Sequence, residues 1–570
     1  MPAPSRSTDL RHLGDFDVTP RLLAITAFAL PIGAISAGVA WCLLRLIGLI
    51  TNLVFYQRVA TALVAPGEVH HSPFLILGAP IAGGLVIGLV ARFGSEKIRG
   101  HGIPEAIESI LTGGSKVQPR VALLKPLASA IAIGTGGPFG AEGPIIMTGG
   151  AFGSISAQLL HLSADERKTL LVAGAAAGMA ATFDAPLASV LLAVELLLFE
   201  WRPRSFIPVA AAVAVATAIR IPLLGSGPIF PVPTGTLHLD AASYGLCIVS
   251  GAVAGLLALL ATSLVYLSED AFGRLPIHWM WWPAIGGLII GIGGLIVPQA
   301  LGVGYDVIGA ELNGTIALNL IVGILIVKTL IWSLSLGSGT SGGVLAPMLM
   351  IGGALGGLQA EVFPHVAAGF WPLVGLAGVL GGVMRSPLTG VVFALELTHR
   401  YEALLPLLIG ATAAYAISIL VLRRSVLTEK IARRGIHLTR EYSVDPLEVL
   451  FVGDVMGDAR PVDATSATPP NGARANGARG IGPVDDLPEA PIVFTDDTLR
   501  HVAYAMAASG RTELPVAERN LPEVPVGTVR LEALLEARLR DLDEERHRTR
   551  VLRPLELLRA GRAAAPGGRP

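Results

Sequence analysis

Long stretches of the chain contain no Asp, Glu, Lys or Arg, among them Ala241–Ser268, Thr329–Ala360 and Ala403–Leu422. A helix crosses the hydrocarbon of a bilayer with roughly 20 predominantly apolar residues, and each run is long enough. These runs exclude a water-soluble fold and predict a polytopic, all-α membrane protein. Composition agrees: of 570 residues only 15% are charged, against about 25% in soluble domains. The first twenty residues are polar and mixed in charge. The apolar segment after them runs to Thr51, too long and too poorly terminated for a cleaved signal peptide, so it is expected to stay as the first helix. A net charge of −1 favours no partner and gives no footing for nucleic acid. Cys42 and Cys247 lie far apart in apolar segments and read as buried small hydrophobes, neither a disulfide framework nor a metal set.

The 68 glycines and 40 prolines fall largely inside hydrophobic territory. In a membrane they mark broken or tilted helices whose ends lie inside the protein. The pattern predicts helices over 21–51, 74–94, 104–112, 121–134, 143–160, 166–182, 187–200 and 205–222. A second set is predicted over 241–269, 277–298, 315–336, 347–362, 370–383, 387–398, 403–422 and 425–434. Several are too short to span. Short, Gly-interrupted hydrophobic segments in matching places of two halves point to a binding site near the midplane.

The halves do match. GTGGPFGAEGPIIMTGGAFG (134–153) lies over GSGTSGGVLAPMLMIGGALG (337–356), with Pro144/Pro347, Met147/Met350 and Gly149-Gly150-Ala151/Gly352-Gly353-Ala354 coinciding. Downstream, DAPLASVLLAVEL (184–196) lies over RSPLTGVVFALEL (385–397), pairing Glu195 with Glu396. Two separate matches at nearly one offset indicate an internal duplication of about 200 residues. The repeats are expected at about 74–222 and 277–422.

Arginines thicken after the last apolar run (Arg423, Arg424, Arg433, Arg434, Arg440) and recur in the N-terminal tail (Arg6, Arg11, Arg21). By the positive-inside tendency both termini are expected in the cytoplasm. The expected division is a tail over 1–20, a membrane domain over 21–440 and a soluble region over 441–559. Within the last, 464–490 is a Pro/Gly/Ala-rich insert in which NGAR occurs twice, and 560–570 is read as a disordered tail. The segments 498–520 and 526–539 read as helix–turn–strand and strand–helix, a small α/β module.

Three Gly/Pro-marked helix starts stand out: GHGIPEA (100–106), GAEGPII (140–146) and GGVLAPM (342–348). A helix N-terminus leaves four N–H groups unpaired and carries about half a positive charge. Pro in the first turn costs nothing there, and Gly before it admits a ligand to the backbone. Three such ends converging in a membrane would bind an anion without holding it as tightly as an Arg or Lys would.

GHGIP, GAEGP and GGVLAP, in this order and with DAPLA and SPLTG downstream, resemble signatures of the CLC family of chloride channels and transporters over roughly residues 20–440. The resemblance implies two inverted repeats of tilted and broken helices, a homodimer, and an anion path in each subunit. It covers voltage-gated channels and antiporters alike, and implies a multi-pass protein of the cell (inner) membrane with chloride or a similar small anion as cargo. Glu142 matches the gating glutamate, which competes with the anion for the outer site. Around the ion the resemblance places His101, Gly102 and Ile103, then Gly140, Gly143 and Pro144, with Gly343 and amides of Val344 and Leu345 facing the central ion.

The departures are specific. His101 stands where the family often has Ser, and an imidazole can also carry a proton near neutrality. Leu427 stands where the family usually has a tyrosine hydroxyl, and Leu345 replaces the Phe of GxFxP. In proton-coupled relatives an inner glutamate follows the one matched by Glu195; here that neighbour is Leu196, and Glu200 in FEWRP, further along the same helix face, is the candidate substitute. Glu195 is kept beside Glu200 as a candidate member of the proton path, but Glu195 and Glu396 occupy equivalent repeat positions, and a symmetric structural role near the subunit interface or helix ends is favoured for both. Lys125 is read either as a source of positive potential or as a snorkelling side chain. The soluble tail resembles CBS modules: VGDVM (452–456) starts one copy and 491–540 holds one fuller copy. A nucleotide site needs more than this chain plainly supplies, so no cofactor is expected.

The sequence thus predicts anion transport gated by Glu142, with channel conduction slightly favoured. The alternative is a chloride/proton antiporter using Glu200 or His101. A regulatory sensor acting through the CBS-like tail is a rival of another class. An enzyme is not expected, because no nucleophile set, acidic cluster or phosphate loop is present.

Overall fold

In the computed structural model the described residues are 20–111, 114–232, 237–422, 424–433, 447, 450–458 and 491–539. The described residues fall into two units, one within Phe16–Arg440 and one within Glu441–Pro570. The expected N-terminal tail, the 464–490 insert and the 560–570 tail lie outside the described residues, apart from Pro20.

The larger unit is built from helices. Its first half holds α1 (Arg21–Phe55), α2 (Pro73–Phe93), α3 (Ile103–Leu111), α4 (Pro119–Gly134), α5 (Glu142–Leu159), α6 (Ala164–Phe183), α7 (Pro186–Leu192) and α8 (Pro203–Leu224). The second half holds α9 (Ala241–Gly273), α10 (Trp282–Ile296), α11 (Tyr305–Leu312), α12 (Leu318–Gly323), α13 (Thr329–Gly337), α14 (Leu345–Ala360), α15 (Phe370–Met384), α16 (Pro387–Thr398) and α17 (Leu404–Val421). A last short helix, α18 (Val426–Arg433), follows. Proline opens α2, α4, α7, α8, α10 and α16, where its missing N–H is an orphan anyway. Ser163 and Glu166 form a capping box on α6, with Ser163 N–H donating to Glu166 Oε2 at 3.0 Å.

Each half centres on one buried helix pair, α5 on α6 and α14 on α15. Glycine sets how close the pairs approach. A side chain on Gly149 would strike the carbonyl of Gly174, and one on Gly174 that of Gly149; Gly352 and Gly375 stand in the same reciprocal relation. Where lipid tails supply no hydrophobic drive between helices, such close backbone contact supplies the packing. Around this core, α1, α2, α8, α9 and α17 turn large apolar side chains outward, among them Phe74, Leu256 and Leu420. Among the described residues, seven helices or unbroken helical runs are long and apolar enough to cross a membrane.

The two halves are inverted repeats. They meet in an antiparallel bridge between Gly140 and Gly343, whose N–H donates to the Gly140 carbonyl at 2.8 Å. Glu195 accepts from the Thr389 N–H at the start of α16 (3.0 Å), while Glu396 accepts from the Leu187 and Ala188 N–H groups at the start of α7 (2.9 and 2.8 Å). Each repeat thus caps a helix of the other.

Four details differ from the sequence expectation. Cys42, read as a buried small hydrophobe, is exposed on α1, while Cys247 is buried. The helix predicted over 187–200 changes to π-type over Ala193–Leu198 and ends at Phe199, whose φ of 54° is left-handed. Glu200 is therefore off that helix, not on its face. The helix predicted over 315–336 begins at Leu318 and is π-type over Ile324–Lys328. Finally, α11 is absent from the prediction, because it is short and opens with GVGYD instead of a proline.

The smaller unit has a four-stranded sheet of order β1-β4-β3-β2, from β1 (Gly457–Asp458), β2 (Val493–Phe494), β3 (Glu513–Glu518) and β4 (Leu521–Arg530). Helices α19 (Leu499–Ser509) and α20 (531–539) accompany it. The β2–β3 pairing is parallel and the others antiparallel. Val493, Leu499, Val502, Leu514, Val516 and Val529 form its core. This is the α/β module expected; its last strand starts at Leu521, because it pairs back on β3 across a tight turn.

Candidate anion site

The starts of α3, α5 and α14 converge. Glycine lets them do so: a side chain on Gly143 would run into the His101 carbonyl and lie 3.5 Å from the Gly343 Cα. Gly102, with a left-handed φ of 91°, passes close to Gly143 and Met147. His101, Gly102, Ile103, Gly140, Glu142, Gly143, Pro144, Gly343, Val344 and Leu345 are all buried around this meeting point.

Glu142 sits at its centre with no exposed surface. The Leu345 N–H donates to Glu142 Oε1, and the Ala346 amide also faces the carboxylate. The glycines at 140 and 343 leave the room it occupies, since a Cβ at either would collide with it. The carboxylate therefore lies across the N-terminus of α14, where backbone N–H groups and the helix dipole favour negative charge. The Leu345 amide, expected to face a central ion, is here occupied by Glu142. The other oxygen, Oε2, is buried with no hydrogen-bond partner among the described residues.

The α3 side is braced by charge. Glu105 Oε2 accepts from the Gly102 N–H at 2.9 Å, and Glu105 Oε1 receives Lys430 Nζ of α18 at 2.6 Å. Lys125 is fully buried and donates to the carbonyls of Ile98 (2.8 Å) and Gly100 (2.6 Å). It does not snorkel; it ties down the loop that delivers His101. The His101 ring is buried and its Nδ1 has no partner among the described residues. His101 also lines a cavity of ≈ 330 Å³ with Lys97, Lys116, Tyr266 and Lys430.

Leu427 is buried at the start of α18, which packs on α3 and α15, and offers only hydrocarbon there. A tyrosine enters the same neighbourhood from elsewhere: the Tyr266 hydroxyl of α9 donates to the Val426 carbonyl. Sequence reading missed it, since a lone Tyr near the end of an apolar run carries no pattern. It also missed Lys328, fully buried and donating to the carbonyls of Ala300 (2.9 Å) and Gly302 (2.8 Å). Glu195 stands at the α16 start, also accepting from the Thr389 hydroxyl at 2.5 Å. Glu200 accepts from the Ser205 hydroxyl at 2.6 Å and pairs loosely with Arg202 and Lys168.

Fold and site together define an inverted-repeat membrane protein with a carboxylate lodged between the starts of two broken helices. The chain belongs to the CLC family: the family model for voltage gated chloride channels matches residues 82–419. The H(+)/Cl(−) exchange transporter ClcA of Citrobacter koseri is 32% identical over 439 residues, covering 71% of this chain and 87% of that protein. The protein of the same name from Salmonella newport is 32% identical over 444 residues, 72% of this chain and 88% of its own. Among solved structures, a slow cyanobacterial Cl−/H+ antiporter aligns with a TM-score of 0.62 at 24% identity, covering 73% of this chain and 98% of that one. A CLC-type fluoride/proton antiporter aligns at 0.60 with 18% identity, covering 70% and 97%. A eukaryotic CLC transporter aligns at 0.60 with 18% identity, covering 90% and 98%. These structures share the fold.

Proposed function

We propose that the protein exchanges chloride for protons across the cell membrane, as a homodimer with both termini in the cytoplasm, and that Glu142 gates the path. The observation that carries the reading is the Glu142 carboxylate on the Leu345 amide. A carboxylate bound to backbone N–H groups in a buried site is an anion occupying an anion's place. Protonation removes its charge and its claim on that amide, so one group alternately excludes chloride and carries a proton.

The passive conduction favoured from Leu196 gives way to exchange. Relatives matching most of the chain are exchangers by name, including bacterial proteins at 32% identity. On this reading Glu200 is the inner proton acceptor. It lines a cavity of ≈ 250 Å³ with Arg21, Glu166, Lys168 and Arg204, and the side chains there would let water and protons reach it. Paired recording of chloride efflux and external pH from liposomes under a chloride gradient tests the proposal. Proton movement against its own gradient is the expected result, and chloride efflux with no proton signal would return the reading to a channel.

A further inference from the structure

The helix that sequence reading overlooked has a partner in the other repeat. GVGY (302–305) at the start of α11 lies over GHGI (100–103) at the start of α3. The buried lysines agree with that equivalence: Lys125 holds the carbonyls of Ile98 and Gly100, and Lys328 holds those of Ala300 and Gly302. The Gly302 N–H also donates to the Gly136 carbonyl, 3.1 Å away, in the loop that leads into α5. So α3 approaches the start of α5 from one side, and the start of α11 is tied to the loop before it.

The first residue of α11 is Tyr305. Its hydroxyl is buried and has no hydrogen-bond partner among the described residues, and Glu142 Oε2 is in the same condition. Tyr305 opens α11 and Glu142 opens α5, the two helix starts that the Gly302–Gly136 bond ties together. Packing, not hydrogen bonding, holds the ring: Phe183 meets it edge-on at 6.4 Å and Phe230 at 5.8 Å. Tyr305 also lines a cavity of ≈ 110 Å³ with Thr51, Pro66, Gly302 and the exposed Asp306. This cavity lies beside the C-terminal part of α1, whereas the cavity at Glu200 includes Arg21 at the other end of that helix.

We infer that the Tyr305 hydroxyl is the hydrogen-bond partner of the Glu142 carboxyl after that side chain leaves the amides of α14, a positioning residue on its way to the α1–α11 cavity. A buried hydroxyl without a partner is costly to keep, and a partner that arrives for only part of a cycle gives it one. The inference rests on Glu142 acting as the gate. It adds a named second resting place for the gate, on an element of the opposite repeat.

The test is a double-mutant cycle in liposomes, with chloride and proton flux recorded together for wild type, Tyr305→Phe, Glu142→Ala and the double variant. Tyr305→Phe keeps the ring and removes only the hydroxyl, and is expected to slow coupled exchange about tenfold. In the Glu142→Ala background, with no carboxyl to receive, the same change should leave chloride flux as it was, which also shows that the fold tolerates it. Wild-type exchange in Tyr305→Phe would overturn the inference while leaving the gate intact. Equal slowing in both backgrounds would overturn it too, by showing a structural effect. Undiminished proton coupling in Glu142→Ala would sink the gate reading, and this inference with it.

Discussion

Glu105 shows how a single buried side chain positions the site. It is nearly buried, yet one oxygen takes the Gly102 amide and the other takes Lys430, so α18 is tied to the start of α3 through one carboxylate. Removing one partner of such a pair leaves an uncompensated buried charge, at about 3–5 kcal/mol. Lys430→Met should therefore lower unfolding stability of the purified protein by that order, and Glu105→Gln in the same chain should recover part of the loss. If the double variant is as unstable as the sum of the singles, the pair does not act as a unit. A second expectation concerns Glu195 and Glu396. Both cap a helix of the opposite repeat, so Glu195→Gln and Glu396→Gln should cost similar stability, about 1–3 kcal/mol each. Neither should change the ratio of protons to chloride, and a changed ratio for Glu195→Gln would restore it to the proton path. Glu142 was legible because an isolated carboxylate among glycines in an apolar stretch has few structural uses. Lys328, Tyr266 and Tyr305 were not, because their roles come from loops and helices distant in sequence.

At the scale of the element, glycine content was readable and glycine function was not. Sequence marked the helices as broken, but the reciprocal contacts of Gly149 with Gly174 and of Gly352 with Gly375 exist only once helices cross. Gly149→Val and Gly352→Val force side chains into carbonyls of a packed neighbour, and at least about 1–3 kcal/mol of destabilisation is expected for each. Gly78 is the control. It lies within α2 with nothing inside 4 Å of a Cβ built there, so Gly78→Ala should be neutral or raise the melting temperature. Loss of stability at Gly78 equal to that at Gly149 would remove the distinction. Helix ends were the weaker part of the reading. Phe199 turns left-handed after a π-type turn, an ending that hydrophobic periodicity does not encode, and it moved Glu200 off the helix. Short α11 escaped because its start is GVGYD, without the proline that marked the starts of α5 and α14.

At the scale of the molecule, the duplication was the strongest signal, since prolines, glycines and a glutamate recur at nearly one spacing. It predicted matching halves, and these meet in the antiparallel bridge between Gly140 and Gly343. The asymmetry of the site comes from a sequence difference between the repeats. Both repeats bring a helix start to the meeting point, but one carries Glu142 and the other Leu345, so the carboxylate of the first rests on the amide of the second. On the proposed function, a site built this way holds either the tethered carboxylate or a free anion. The most direct measurement is proton uptake into liposomes against a proton gradient, driven by a chloride gradient, for wild type and Glu142→Gln. Wild type should drive protons uphill, whereas Glu142→Gln, which keeps the shape and cannot cycle a proton, should pass chloride alone. Uphill proton movement by Glu142→Gln at the wild-type rate would contradict the gate.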